Sequence, residues 1–294
     1  MNIWQDKNFE PMLLNEIDKP FDSDDYIYEI KYDGIRALIF IGPNTFIIKS
    51  RNNKDLTNLF PELIKIKKNF TNNTILDGEI VLFDNDNKPS FSKLQTRMHL
   101  KNELKIKYES INNPVCFVTF DILYDNKSLL KHDLLKRKEI LNKISDNDYL
   151  IKTKYINKEG IKLFDLVKKE RLEGIVAKRK DSIYEINTRS NNWIKIKNTH
   201  NDNFTIIGFK DVPTNYVFTI YLVDNNNYVG KASLAKRNKL YQELKEIIIN
   251  KKIISINEDN ITYVKPIYNA NITYLEKTNN NHLRHPVFNY YDKE

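Results

Sequence analysis

Short runs rich in β-branched and aromatic residues recur along the chain, and this pattern constrains the fold more than any other feature of the sequence. Tyr26 to Lys31, Ala37 to Ile41, Thr45 to Lys49, Ile75 to Phe83, Val115 to Asp121, Gly174 to Lys178 and Trp193 to Lys197 have the residue types and length of strands. Between them, apolar residues spaced three or four apart predict helices through Leu59, Leu63 and Ile66, through Leu134, Ile140, Leu141 and Ile144, and through Leu163, Leu166 and Val167. A polar stretch, Asn198 to Asp202, interrupts the pattern and reads as a linker. Beyond it, strands are expected at Phe204 to Lys210, Tyr216 to Val223, Tyr228 to Lys231 and Ile261 to Tyr268, with a helical run from Leu234 to Ile249. The expected architecture is α+β: sheets and helices over residues 1–198, and a mainly stranded domain over 199–294 that would suit a small closed barrel.

The chain has 294 residues, enough for two separate cores. No apolar run approaches the roughly 20 residues that span a bilayer. The start, MNIWQDKNFEPMLL, lacks the basic, apolar and small-residue succession of a secretory signal, so a cytoplasmic protein with no membrane partner is expected. A single cysteine, Cys116, excludes an internal disulfide and a multi-cysteine zinc site. The formal net charge of +8 suits a polyanionic partner, although a solvated lysine-rich surface explains it equally well.

Chemistry concentrates first in Glu29-Ile30-Lys31-Tyr32-Asp33-Gly34. Strand side chains alternate, so Glu29 and Lys31 share a face, Ile30 is left for the core, and Gly34 permits a sharp turn. A lysine at a strand end can act as a nucleophile once burial and neighbouring cations strip its proton. Lys195 and Lys197 share a face in the same way, and would both grip a phosphate and disfavour a proton on Lys31. Glu79 and Glu173 each adjoin a glycine, where backbone can come close to a ligand. Taken singly, each of these segments also describes an ordinary charged strand.

Together they resemble the covalent nucleotidyltransferases, the superfamily of ATP-dependent DNA ligases, RNA ligases and capping enzymes. Glu29-x-Lys31-Tyr32-Asp33-Gly34-x-Arg36 is similar to the family's first motif, and the others follow in the family's order. They are Ser50-Arg51-Asn52 with Phe60-Pro61-Glu62-Leu63; Leu76-Asp77-Gly78-Glu79 with Pro89-Ser90-Phe91 and Leu94-Gln95-x-Arg97; Phe120-Asp121-Ile122-Leu123-Tyr124; Glu173-Gly174-Ile175-Val176-Ala177-Lys178; and Trp193-x-Lys195-x-Lys197. The likeness is greatest to the ligase modules of bacterial end-joining proteins.

The resemblance implies a nucleotidyltransferase (adenylation) domain of antiparallel sheets and helices, followed by an OB-fold barrel. It implies an ATP-dependent DNA ligase that seals nicks in repair, replication or end joining. Lys31 would attack the α-phosphate of ATP and carry AMP; Glu29 would contact the adenine and Phe120 would stack on it. Glu79 would lie near the ribose, and Glu79 and Glu173 would serve Mg2+ or Mn2+. Lys195 and Lys197 would hold the α-phosphate. Arg36 and Arg51 would bind the nucleotide and the phosphates of the nick, with Arg189 as a further DNA contact. The implied partner is nicked double-stranded DNA, clasped by both domains of a monomer, with a DNA-end-binding protein as a candidate second partner and the nucleoid as the place of work.

Near the end, Leu283-Arg284-His285-Pro286-Val287-Phe288 continues the likeness, but Asn289-Tyr290-Tyr291-Asp292-Lys293 lacks the arginine that usually precedes the Asp-Lys pair. That departure implies slower self-adenylylation. Tyr228-Val229-Gly230-Lys231-Ala232 lacks the second glycine-rich half expected there. An RNA ligase of the same superfamily is the alternative enzyme, and an end-binding module without catalysis is the alternative from another class.

Overall fold

Alternation along the strands sorts side chains onto opposite sheet faces, and in the N-terminal part of the chain it builds two sheets with a core between them. The computed structural model describes residues 2–212, 216–278 and 280–293. The chain divides into two compact units, Met1–Asn198 and Thr199–Glu294.

Unit one runs α1 (Ile3–Asp6), β1 (Leu13–Glu16), β2 (Ser23–Lys31), β3 (Ile35–Gly42), β4 (Thr45–Ser50), a 3-10 helix (Pro61–Asn69), β5 (Thr74–Val81), α2 (Phe91–Met98) and α3 (Glu103–Asn112). It continues with β6 (Cys116–Asp125), α4 (Leu134–Asn142), β7 (Leu150–Lys152), β8 (Tyr155–Lys158), α5 (Gly160–Lys169), β9 (Gly174–Arg179) and β10 (Arg189–Lys197). One sheet has the order β1-β10-β9-β2-β8 and the other β4-β3-β5-β6-β7. Pairing is antiparallel except at the margins, where β1 joins β10 and β6 joins β7 in parallel.

Ile27 and Trp193 from the first sheet meet Leu38, Phe40, Ile75 and Leu123 from the second in a buried cluster. On the outer face of the first sheet, α5 lays Leu163, Phe164 and Val167 over Tyr28, Ile175, Ala177 and Ile196. On the outer face of the second, the 3-10 helix seals Leu63 and Ile66 against Ile39, Leu76 and Phe117. Those two residues lie three apart, so a helix with three residues per turn puts both on the buried side, and Pro61 starts it without wasting an N–H. Burying an aliphatic side chain of this size contributes about 1.5–3 kcal/mol.

Unit two comprises β11 (His200–Asp211), β12 (Val217–Asp224), β13 (Asn227–Ala235), α6 (Leu240–Glu246), β14 (Thr262–Tyr263), β15 (Tyr268–Tyr274) and β16 (Val287–Lys293). Its strands follow the order β13-β12-β11-β15-β16, with β14 also on β11. It has its own core, including Phe204, Phe218, Ile220, Leu240 and Ile272.

Three expectations change here. His200, Asn201 and Asp202 are no linker: they begin β11 and pair with β15, and the Tyr274 hydroxyl donates to Asp202 Oδ2 at 2.6 Å. Leu234 belongs to β13, so the helix is confined to Leu240–Glu246. The run from Ile261 to Tyr268 is split into β14 and the start of β15; Pro266, between them, has no N–H for a ladder.

Candidate active site

Between the two sheets of unit one, the apolar cluster gives way to charge. Register places Lys31, Gly174 and Lys197 side by side on β2, β9 and β10, and Glu29, Val176 and Lys195 in the row behind. From the opposite sheet, Arg36 on β3 pairs in register with Glu79 on β5. Ile30, Ile194 and Ile196 turn to the other side, against α5.

Lys31 ends β2 with its Nζ 2.7 Å from both oxygens of Glu173. Gly174 fixes this arrangement: its φ is +155°, and a Cβ would lie 2.2 Å from the Ile196 carbonyl oxygen. Gly34 acts through close approach rather than a turn of positive φ, since a Cβ there would lie 2.3 Å from the Ile80 oxygen and 2.8 Å from Glu79 Cγ. In both places the neighbouring strand's backbone, not space for a ligand, fills the room that glycine leaves.

The expectation that neighbouring cations lower the pKa of Lys31 is overturned. Burial does oppose its charge, but Glu173 and Glu79, with Asp33, hold it above the ordinary lysine range. Lys195 and Lys197 are spent elsewhere: both bind Glu16 of β1, at 2.8 and 2.9 Å. Burial pushes the Glu79 carboxyl up to about 8; Lys31 opposes this and Glu173 adds repulsion.

Glu29 is 2 % exposed and closed in by two lysines, Lys138 at Oε1 and Lys178 at 2.7 Å from Oε2. Burial pulls Lys178 down to about 8, against the pull of Glu29 and with the help of Lys138. The Lys178 ammonium lies 4.3 Å from the centre of the Phe120 ring and 4.1 Å from that of Trp193. Arg36 stands 5.4 Å from the same Phe120 ring.

Arg36 is held by Asp77. Its Nε and Nη2 donate to the two oxygens of Asp77 at 3.1 and 2.7 Å, and the Tyr184 hydroxyl donates to Asp77 Oδ2 at 2.6 Å. Although burial works against it, Asp77 holds the guanidinium above its usual range. Arg51 is exposed in the turn after β4. Arg189, exposed at the start of β10, donates to the Leu14 carbonyl and lies apart from the Lys31 row.

A family model described as ATP dependent DNA ligase domain matches residues 11–197. The chain belongs to the ATP-dependent DNA ligase family. Among its relatives, the SPbeta prophage-derived DNA ligase-like protein LigB of Bacillus subtilis is 29% identical over 280 residues, covering 95% of this chain and 97% of that one. The multifunctional non-homologous end joining protein LigD of Mycolicibacterium smegmatis is 27% identical over an alignment of 299 residues that covers 95% of this chain and 38% of LigD. This ligase therefore spans about two fifths of such an end-joining protein. The ligase domain of M. tuberculosis LigD shares the fold, with a TM-score of 0.60 at 24% identity over 96% of this chain and 94% of that one. A Lig E DNA ligase reaches 0.68 at 15% identity, over 96% and 99%.

Two ligase residues in this site carry signals that were readable. Lys138 falls four residues after Leu134 and three before Leu141, on the core-facing side of a predicted helix, where a lysine needs a buried partner. Lys178 alternates into the same row as Gly174 and Val176. Glu16 and Tyr184 gave no such signal, because their roles depend on chain neighbours distant in sequence.

Proposed function

We propose that Lys31 carries AMP, and that the ligase seals nicks with 5′-phosphate and 3′-hydroxyl ends through a lysyl-AMP and an adenylylated DNA intermediate. The observation that carries this is the close of β2, where an amine 2.7 Å from Glu173 has a second carboxyl group, Glu79, beside it and Lys197 in the same cross-strand row. Lys31 loses its proton and attacks the α-phosphorus of ATP; the N–P bond forms as the bond to pyrophosphate breaks. An oxygen of the 5′-phosphate at the nick then attacks that phosphorus, releasing the lysine. The 3′-hydroxyl next attacks the activated 5′-phosphate, and AMP leaves.

Lys195 and Lys197 exchange Glu16 for the α-phosphate and the departing pyrophosphate, where fixed cations stabilise developing charge. Phe120 stacks on the adenine and Glu29 meets its edge. Arg51 and Arg189 hold DNA phosphates, and Arg36, whose Nε and Nη2 stay on Asp77, reaches nucleotide or nick through Nη1. Among the described residues no three His, Cys, Asp or Glu side chains form a metal cluster. Glu79 and Glu173 nevertheless suit Mg2+ or Mn2+, since magnesium takes one or two carboxylates and fills its shell with phosphate oxygens and water. A divalent cation there would supply positive charge against the two carboxylates that now keep Lys31 protonated.

Unit two is assigned as an OB-fold. Its support is a five-strand path in the order third, second, first, fourth, fifth, with α6 in the connection after the third strand. A cleft of about 500 Å3 between β13 and Pro286–Phe288 matches a partly open barrel. Nicked duplex DNA is the substrate and a DNA-end-binding protein a candidate partner. We place the ligase in the cytoplasm as a monomer, at the nucleoid when on DNA, working in repair, end joining or replication.

The test uses α-labelled ATP and Mg2+, followed by a nicked duplex. A labelled adduct that discharges as the nick closes is expected from the native chain and none from Lys31→Ala. Equal labelling of that variant would remove Lys31 from the mechanism.

A further inference from the structure

Helix α4 lies outside the segments that resemble family motifs, yet two of its successive residues fasten the two elements assigned to the base. Arg137, fully buried, reaches Asp121, the residue after Phe120 on β6, with Nε on Oδ1 at 2.9 Å and Nη2 on Oδ2 at 3.0 Å. Lys138, 2 % exposed, donates to Glu29 Oε1 while Lys178 lies 2.7 Å from Oε2. The centre of the Tyr155 ring lies 5.8 Å from Lys138 Nζ.

Each oxygen of Glu29 thus has its own lysine, and this fixes the plane of the carboxylate. Removing one partner of such a buried pair leaves the other with desolvated charge and freedom to turn. A carboxylate accepts hydrogen bonds and donates none, so at the 6-position of a purine it favours the amino group of adenine and repels the carbonyl oxygen of guanine, whereas beside N1–H and the 2-amino group it would favour guanine. Its orientation therefore bears on which purine is accepted.

We propose that Lys138 is a positioning residue that sets the orientation of Glu29 and, through it, the preference of the pocket for adenine over guanine. This rests on Glu29 meeting the base edge, as assigned above.

The experiment measures lysyl-nucleotide formation in single turnover with the full chain, using labelled ATP and GTP. Losing one charged hydrogen bond should raise KM for ATP about tenfold and cut the ATP-over-GTP ratio by about tenfold in Lys138→Met. The rate at saturating ATP should stay within about threefold, since Lys138 does not touch the reacting atoms. Lys138→Arg should restore both KM and the ratio. A folded Lys138→Met that melts earlier but keeps native KM and base preference would reduce Lys138 to a structural ion pair and overturn the proposal. If that variant does not fold, Lys138→Gln, which keeps a donor without the charge, carries the same measurements. A native chain that forms no adduct would instead strike at Lys31. In that case, equilibrium dialysis of ATP and GTP against native and Lys138→Gln chains still decides the role of Lys138.

Discussion

The carboxylates beside it hold Lys31 as an ammonium, so the proposed attack on ATP would begin with proton loss to the surroundings. With Glu173 and Glu79 raising its pKa, the neutral fraction grows with pH across the whole neutral range. Single-turnover adduct formation should climb about tenfold per pH unit between pH 6 and 8 at fixed Mg2+. A flat profile would mean that proton loss does not limit the step. Glu79 gives a stability prediction of definite sign. Its folded pKa, about 8, lies above that of an unfolded carboxyl, so the folded chain keeps a proton that the unfolded chain releases. Its contribution to stability therefore declines as pH rises from about 4 toward 8. Glu79→Gln should gain on the native chain in melting temperature over that window and hold a constant lead above it. A lead that does not vary with pH would contradict the assigned shift.

Strands were the most legible elements, because a short β-branched and aromatic run is a local signal and the central strands, buried on both faces, keep it unbroken. The predicted run from Ala37 to Ile41 lies within β3, whose residues from Ala37 onward are buried. Helix α3 was missed although Leu104, Tyr108 and Ile111 fall four and three apart, the spacing of a helix face; at 78, 64 and 71 % exposed, that stripe packs on no core among the described residues. The nearness of the candidate residues was legible, but their charge balance was not. Motif order brought Lys31, Glu79 and Glu173 together, whereas the capture of Lys195 and Lys197 by Glu16 arises from the parallel pairing of β1 with β10, which no local pattern announces. Gly174 tests how far the elements fix the chemistry. Gly174→Ala forces a Cβ onto the Ile196 oxygen in a backbone conformation that L residues rarely adopt. A loss of about 2 kcal/mol or more in urea unfolding is expected, with adduct formation impaired. Unchanged stability would show that β9 and β10 can separate without cost.

At the scale of the whole molecule, the hydrophobic clusters fall within one unit or the other, and the chain passes between units at Asn198. Residues 1–198 expressed alone should therefore unfold cooperatively in urea; a broad, non-cooperative transition would show that they need the second unit. The net charge of +8 bears on DNA binding. Affinity for a nicked duplex, followed by fluorescence anisotropy, should fall linearly on a log–log plot against salt, with a slope near −0.9 for each phosphate neutralised; a flat plot would argue against a phosphate-dominated contact. The ion pair at the end of β2 has a last consequence, for how the molecule ages. Amine-directed electrophiles attack only the unprotonated form, and Glu173 keeps Lys31 out of that form until substrate arrives. In a resting sample treated with a limiting acylating reagent, peptide mapping should find surface lysines modified well before Lys31: the group proposed for covalent chemistry would be shielded from accidental chemistry.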